Sequence, residues 1–230
     1  MRSGISLLHS RRLLFSALFH IVLFGGSLFG AAGTWDWPGG WTFLVVNTVY
    51  AQLVHWVADP DLMAERSSLR KGIKRWDVVM VCWLFFFLYP IPLIVAGLDV
   101  KRFGWSPALP GAIQISFLLV FILSCAFGLW TIRENPFYSM IIRIQCERGH
   151  TVVKTGPYAY IRHPGYAFGI LGMLSAPLAL GSLWALMPAV AGMILVIVRT
   201  GLEDRVLQRE LPGYREYARD VGRRLLPGVW

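Results

Sequence analysis

Residues 78–98 read VVMVCWLFFFLYPIPLIVAGL, without one charged side chain. A helix crosses the hydrocarbon core of a bilayer with about 20 mostly apolar residues, so this run reads as a membrane span. Five further runs flank it: Leu13–Ala32, Trp41–Val57, Ala112–Ile132, Tyr166–Leu180 and Leu183–Val198. The last two are short, and the Gly181-Ser182 hinge between them is too tight for a large loop, so they read as a helical hairpin. The composition agrees. The chain is 56% hydrophobic and 15% charged, against about 25% charged in a soluble domain; an ordinary soluble enzyme and a disordered chain are both excluded. The expected fold is all-α: a polytopic membrane helix bundle of about six membrane segments, with a C-terminal helical hairpin and an interfacial amphipathic tail.

The formal net charge is +9, and its distribution orients the bundle. Arg2, Arg11 and Arg12 precede the first span. Arg66, Arg70, Lys71, Lys74 and Arg75 lie between the second and third, and Arg133, Arg143, Arg148, Lys154 and Arg162 between the fourth and fifth. A basic tail from Arg199 to Arg224 follows the sixth, and only Lys101 and Arg102 fall on the other side. By the positive-inside rule the rich face is cytoplasmic. The expectation is a multi-pass protein of a bacterial inner membrane with both termini inside. The positive charge then serves loops and anionic membrane lipid, not nucleic acid. Gly30-Ala31-Ala32-Gly33 resembles a signal-peptide cleavage site, but the apolar run before it is longer than a usual h-region, and cleavage would spoil the charge pattern. Three cysteines, Cys82, Cys125 and Cys146, form no CxxC; they predict neither a disulfide framework nor a zinc site, with Cys82 and Cys125 as small core residues.

Two parts emerge: residues 1–132, four helices with short polar links, and residues 133–230, a polar loop, the hairpin and the tail. The chemistry concentrates in the second. Between Gln145 and Tyr166, Thr151-Val152-Val153 is a short extended run, Gly156-Pro157 is a turn signal, and Pro164 suits the first position of a helix. The helix would open with free amides near Gly165 and Tyr166, where an anion is favoured, and Gly165 has no side chain to block approach. The plainer alternative is an interfacial helix start with Tyr158, Tyr160 and Tyr166 as belt aromatics. Arg199 and Glu203 share a helix face. They read either as a functional charge at a membrane helix end or as a local pair worth about 0.3–0.5 kcal/mol. In the tail, Leu207, Leu211, Tyr214, Tyr217 and Val221 keep a three/four spacing suited to a membrane surface, or to capping the loop.

Gly156-Pro-Tyr-Ala-Tyr-Ile-Arg-His-Pro-Gly-Tyr166, Arg199-x3-Glu203-Asp204-x2-Leu207, Leu211-Pro-Gly-Tyr214-x2-Tyr217 and Arg224-x2-Pro227 together resemble the isoprenylcysteine carboxyl methyltransferase family. Phospholipid N-methyltransferases share a similar C-terminal pattern. Asp61-Leu62-x2-Glu65-Arg66 resembles a leader before the third span in bacterial members. The resemblance implies a membrane bundle without a Rossmann domain; the chain has no GxGxxG after a strand. It implies S-adenosylmethionine as cofactor and S-adenosylhomocysteine as product. The cofactor would be contacted by Gln145, His150, Thr151, Val152, Val153, Tyr158, His163, Pro164, Gly165, Tyr166 and Glu203. Arg199 would be the catalytic residue, orienting an acceptor carboxylate through a two-pronged hydrogen bond. His163 is open between cofactor contact, a base for an amine or hydroxyl acceptor, and a loop terminator; His9, His20 and His55 read as structural.

The implied activity is O-methylation of the carboxylate of a lipophilic or lipidated acceptor. Three alternatives remain: membrane lipid N-methylation, an NADPH-dependent sterol-type reductase, and a non-enzymatic lipid-binding protein. The reductases share a His-Pro-x-Tyr helix start, but the Cys and Lys-Tyr-Gly context of their tail is missing here.

Overall fold

A computed structural model describes residues 13–58, 62–63 and 73–226. Arg2, His9, Arg11, Arg12, Asp61, Glu65, Arg66, Arg70, Lys71 and Pro227 lie outside them. Among the described residues the regular structure is helical, without strands. Helix α1 covers Leu13–Ala32, with a π-helical stretch at Ile21–Gly25. It stops at Gly33, whose φ of +69° suits glycine. Helix α2, Pro38–Val57, opens on proline. Helix α3, Arg75–Phe103, is broken at Tyr89, because Pro90 and Pro92 withdraw two amide donors. Helix α4 is Gly111–Glu134. A loop with 3-10 turns at Cys146–Arg148 and Gly156–Ala159 leads to α5, Pro164–Leu180. Gly181, at φ +86°, turns the chain toward α6, Leu186–Glu210, and a short α7, Tyr214–Asp220, follows.

Four of these helices, α1, α3, α4 and α6, are long and apolar enough to cross a membrane. Of the about six expected segments, these four meet the length and composition of a span among the described residues. Helix α2 is diluted by Asn47, Gln52 and His55, and α5 has 17 residues. Helix α2 nevertheless exposes Trp41, Val45, Val49 and Leu53 along one face and buries Gly40, Phe43, Leu44 and Asn47 on the other. A helix with its apolar stripe outside and an amide inside is built for an apolar surrounding. Helix α6 runs unbroken for 25 residues, so the short sixth segment expected at Leu183–Val198 continues through Arg199 and Glu203.

Small residues let the helices meet closely. A Cβ on Gly97 of α3 would sit 2.4 Å from the Leu28 carbonyl of α1. One on Gly172 of α5 would sit 2.5 Å from Ser124 Oγ of α4, and that hydroxyl donates to the Phe168 carbonyl at 2.8 Å. Phe24, Leu28, Phe43, Leu93, Phe121 and Leu180 gather five helices into one core. At the end of α3 away from the loop, fully buried Asp99 accepts from the Ser106 amide (2.6 Å), the Ser106 hydroxyl (2.6 Å) and the Ser182 hydroxyl (2.5 Å). This clasp pins the α5–α6 turn to α3.

Two smaller expectations change. The tail does not spend its apolar side on a membrane surface: Leu211, Tyr214 and Tyr217 are buried and pack with Ile144 and Val152 of the loop. Cys82 is exposed rather than a core residue, and Cys125 is half-buried.

Candidate functional site

A cavity of about 900 Å³ runs from the loop into the helices. His150, Thr151, Val152, Val153, Tyr158, His163, Gly165, Tyr166, Arg199 and Glu203 all line it. Gln145 and Pro164 do not. Gln145 is fully buried and turned inward by the Cys146–Arg148 turn; its amide donates to the Phe137 carbonyl at 3.0 Å and accepts from Arg148. It braces the loop, as Pro164 starts the helix. Of the belt aromatics, Tyr160 is exposed and Tyr158 is buried, its hydroxyl accepting from Asn135 Nδ2 at 2.9 Å. Burial pushes the Tyr158 phenol well above its ordinary range.

The start of α5 is more enclosed than the sequence implies. The Tyr166 amide donates to the His163 carbonyl at 3.1 Å, so of the two expected free amides only that of Gly165 donates to nothing among the described residues. The space beside Gly165 is taken by Tyr138, whose hydroxyl would lie 2.5 Å from an added Cβ. Glycine is needed here for the ring that covers the helix start.

His150 stacks on Phe137 at 4.4 Å, and its Nδ1 accepts the Gln145 amide at 3.3 Å. That bond requires the neutral ring. Burial, then Arg148 and Arg143, lower its pKa from 6.5 to about 4. The unfolded chain therefore binds a proton before the folded one. The His150 contribution to stability is full above the unfolded value of 6.5, and falls as pH drops from there toward about 4. His150→Phe is expected to flatten the melting-temperature profile over that window; unchanged acid sensitivity in the variant would count against the assignment.

Arg199 is buried and points away from the partner that spacing assigns it. Its guanidinium grips Asp77, fully buried at the start of α3, by Nε at 2.7 Å and by a terminal nitrogen at 3.0 Å. It also donates to the Met140 carbonyl at 2.7 Å and to the Tyr166 hydroxyl, which in turn donates to Glu203. Asp77 further accepts the Ile142 amide at 2.6 Å. Asp77, Arg199, Tyr166 and Glu203 thus form one relay joining α3, α5, α6 and the loop. Asp77 was not singled out from sequence: an acid in a helix's first turn ordinarily reads as a dipole partner.

A second hub is Asp204, also fully buried. Arg162 donates to both its oxygens (2.9 and 3.1 Å), Tyr214 at 3.0 Å, Gln208 at 2.8 Å and Arg224 at 3.0 Å, while His163 Nε2 lies 3.2 Å away. The Arg162 and His163 amides donate to the Arg223 and Arg224 carbonyls at 2.9 and 3.0 Å. The tail is therefore laced to the loop, and His163 is held at the cavity wall. Residues 116–209 match the isoprenylcysteine carboxyl methyltransferase (ICMT) family. The matched segment begins in α4 and ends in α6. It carries every expected site residue, and leaves Asp77 and all of α1–α3 outside the ICMT match. The chain is also 38% identical over 81 residues to the cobalt-zinc-cadmium resistance protein CzcN of Cupriavidus metallidurans. That alignment covers 33% of this chain and 36% of the relative. The resemblance read from the motifs is thus shared by the ICMT match over residues 116–209.

Proposed function

We propose that the chain is an integral membrane methyltransferase that uses S-adenosylmethionine to O-methylate the carboxylate of a lipophilic acceptor, with the loop and both termini on the cytoplasmic face of a bacterial inner membrane. The observation that carries this reading is the continuity of the cavity. One end is walled by polar loop groups and the other by Phe24, Phe43, Leu93 and Phe121. Its volume of about 900 Å³ lies near the top of the usual ~300–1,000 Å³ for small-molecule sites, giving room for a cofactor and part of an acceptor.

The loop end fits the cofactor. Glu203 Oε2 is committed to Tyr166, while Oε1 accepts no hydrogen bond among the described residues and suits an ammonium group. The Gly165 amide suits a carboxylate, and the Tyr158 and His150 rings offer faces to an adenine or a cationic sulfur. When bound, S-adenosylmethionine supplies the methyl group on its sulfonium. The chain's own residues supply alignment and exclusion of water. An acceptor carboxylate is already ionised and needs no general base. Arg199 has one guanidinium N–H left after Asp77, Met140 and Tyr166, so it orients the carboxylate by a single charge-assisted bond, not by the two-pronged one expected from sequence.

Isothermal titration of the detergent-purified chain is expected to show S-adenosylhomocysteine binding, weakened about tenfold or more in Glu203→Gln, with no change in melting temperature. Radiolabelled methyl transfer into membrane extracts should yield a base-labile ester. Binding of NADPH without S-adenosylhomocysteine would replace this reading by a reductase; a base-stable product would replace O- by N-methylation.

A further inference from the structure

Asn47, in the middle of α2, has no role in the site described above. Its side chain is 9% exposed and lines the cavity, and it makes no hydrogen bond among the described residues. An amide in an apolar wall without a partner is costly, and intramembrane polar side chains mark ligand contacts. The depth of Asn47 follows from ring contacts. Phe43 packs on Phe121 at 5.0 Å, and the Tyr50 hydroxyl lies over Gly128, so α2 and α4 run in step and Asn47 stands level with Cys125. Phe168 stacks on Phe127 at 4.7 Å. Tyr166 and the guanidinium bonded to it therefore lie about one helical turn, ~5–6 Å, nearer the loop than Asn47.

The surroundings of Asn47 narrow the ligand. The Arg and Glu side chains on the cavity wall, Arg162, Arg199 and Glu203, all belong to the loop end. The Ser124 hydroxyl is committed to Phe168. Phe24, Phe43, Leu93 and Phe121 present hydrocarbon. Arg199 lies about one turn nearer the loop, and His20, stacked on Phe24 at 5.1 Å, lines the same cavity; an uncharged oxygen needs neither and finds both a donor and an acceptor in the Asn47 amide. We infer that the deep end of the cavity is a subsite for an uncharged hydrogen-bonding oxygen, a keto, hydroxyl or ether group, carried within the hydrocarbon part of the acceptor. The inference rests on the cavity being the acceptor's site, and it adds a specificity that Arg199 alone cannot supply.

The test uses the full chain in detergent and needs no cofactor. Octadecanoic acid and its positional isomers bearing one keto group at successive carbons compete against radiolabelled octadecanoic acid. Affinity is expected to peak at one keto position, about three- to tenfold above the parent acid, the worth of one hydrogen bond. In Asn47→Leu the peak is expected to vanish while the parent acid binds as before. A flat series in the unsubstituted chain overturns the subsite without recourse to any variant. An undiminished peak in Asn47→Leu, or in Asn47→Ala should the leucine variant not accumulate, overturns it as well, and so does failure of every acid to bind. A peak in a chain that neither binds S-adenosylhomocysteine nor transfers methyl groups sinks the methyltransferase and keeps the subsite. Methyl transfer with a flat series does the reverse.

Discussion

Asp77→Ala is expected to cost about 3–5 kcal/mol of stability, the penalty for stranding one member of a buried ion pair, and to abolish methyl transfer. The carboxylate is fully buried, and Arg199 is 5% exposed. Without Asp77 the guanidinium keeps only the Met140 carbonyl and the Tyr166 hydroxyl, while its charge stays in an apolar wall. The loop loses its anchor at the Ile142 amide too. For the same reason Arg199→Ala strands Asp77 and gives no clean measure of catalysis. Asp77→Leu combined with Arg199→Met removes both charges at similar volume. It is expected to regain most of the melting temperature of the unsubstituted chain, yet to transfer no methyl group. A single Asp77→Ala variant that melts like the unsubstituted chain would sink the relay.

Asp204→Asn is expected to lower S-adenosylhomocysteine affinity by about a hundredfold and to open residues 135–163 to limited proteolysis. Its effect on stability should also approach 3–5 kcal/mol, because the Arg162 guanidinium, 7% exposed, loses its counter-ion while keeping the Ala218 and Val221 carbonyls at 3.2 and 2.8 Å. The contrast with Glu203→Gln is the informative part. The two residues are neighbours in α6, but Glu203 faces the cavity and Asp204 faces the loop and tail. Loss of affinity at an unchanged melting temperature is expected for Glu203→Gln; loss of both is expected for Asp204→Asn. Protease resistance equal to that of the unsubstituted chain in Asp204→Asn would show that the tail holds the loop by other means.

The helices were legible because a membrane span is a local property: residues 78–98 or 112–132 carry the signal by themselves. Most of the loop wall was legible from the motif, since Tyr158, His163, Gly165 and Tyr166 sit within nine residues. What escaped is non-local. Asp77 meets Arg199 across 122 positions of chain, and nothing in its own neighbourhood announces that. Asn47 is one amide in an apolar run, and its significance lies in having no partner, which only packing reveals. Gln145 differs in the opposite sense: its motif position was legible, but a 3-10 turn aims its side chain at the Phe137 carbonyl of the loop's own backbone, off the cavity wall. The apolar tail spacing fitted a membrane and a loop equally; the buried Tyr214 and Tyr217 decide for the loop.

The Asp99 clasp has a consequence for the membrane itself. Helix α5, at 17 residues, rises ~26 Å against a hydrocarbon slab of about 30 Å, whereas α4 at 24 residues rises ~36 Å. Because Asp99 fixes the α5–α6 turn to the far end of α3, the shortfall cannot be shared between the two leaflets. It falls at Pro164, beside Gly165 and Tyr166 at the cavity wall. Hydrophobic mismatch of this kind is relieved by local thinning of the bilayer. Where α5 crosses the bilayer, as proposed, the leaflet on the loop side would dip toward the cavity and bring the lipid surface nearer Arg199.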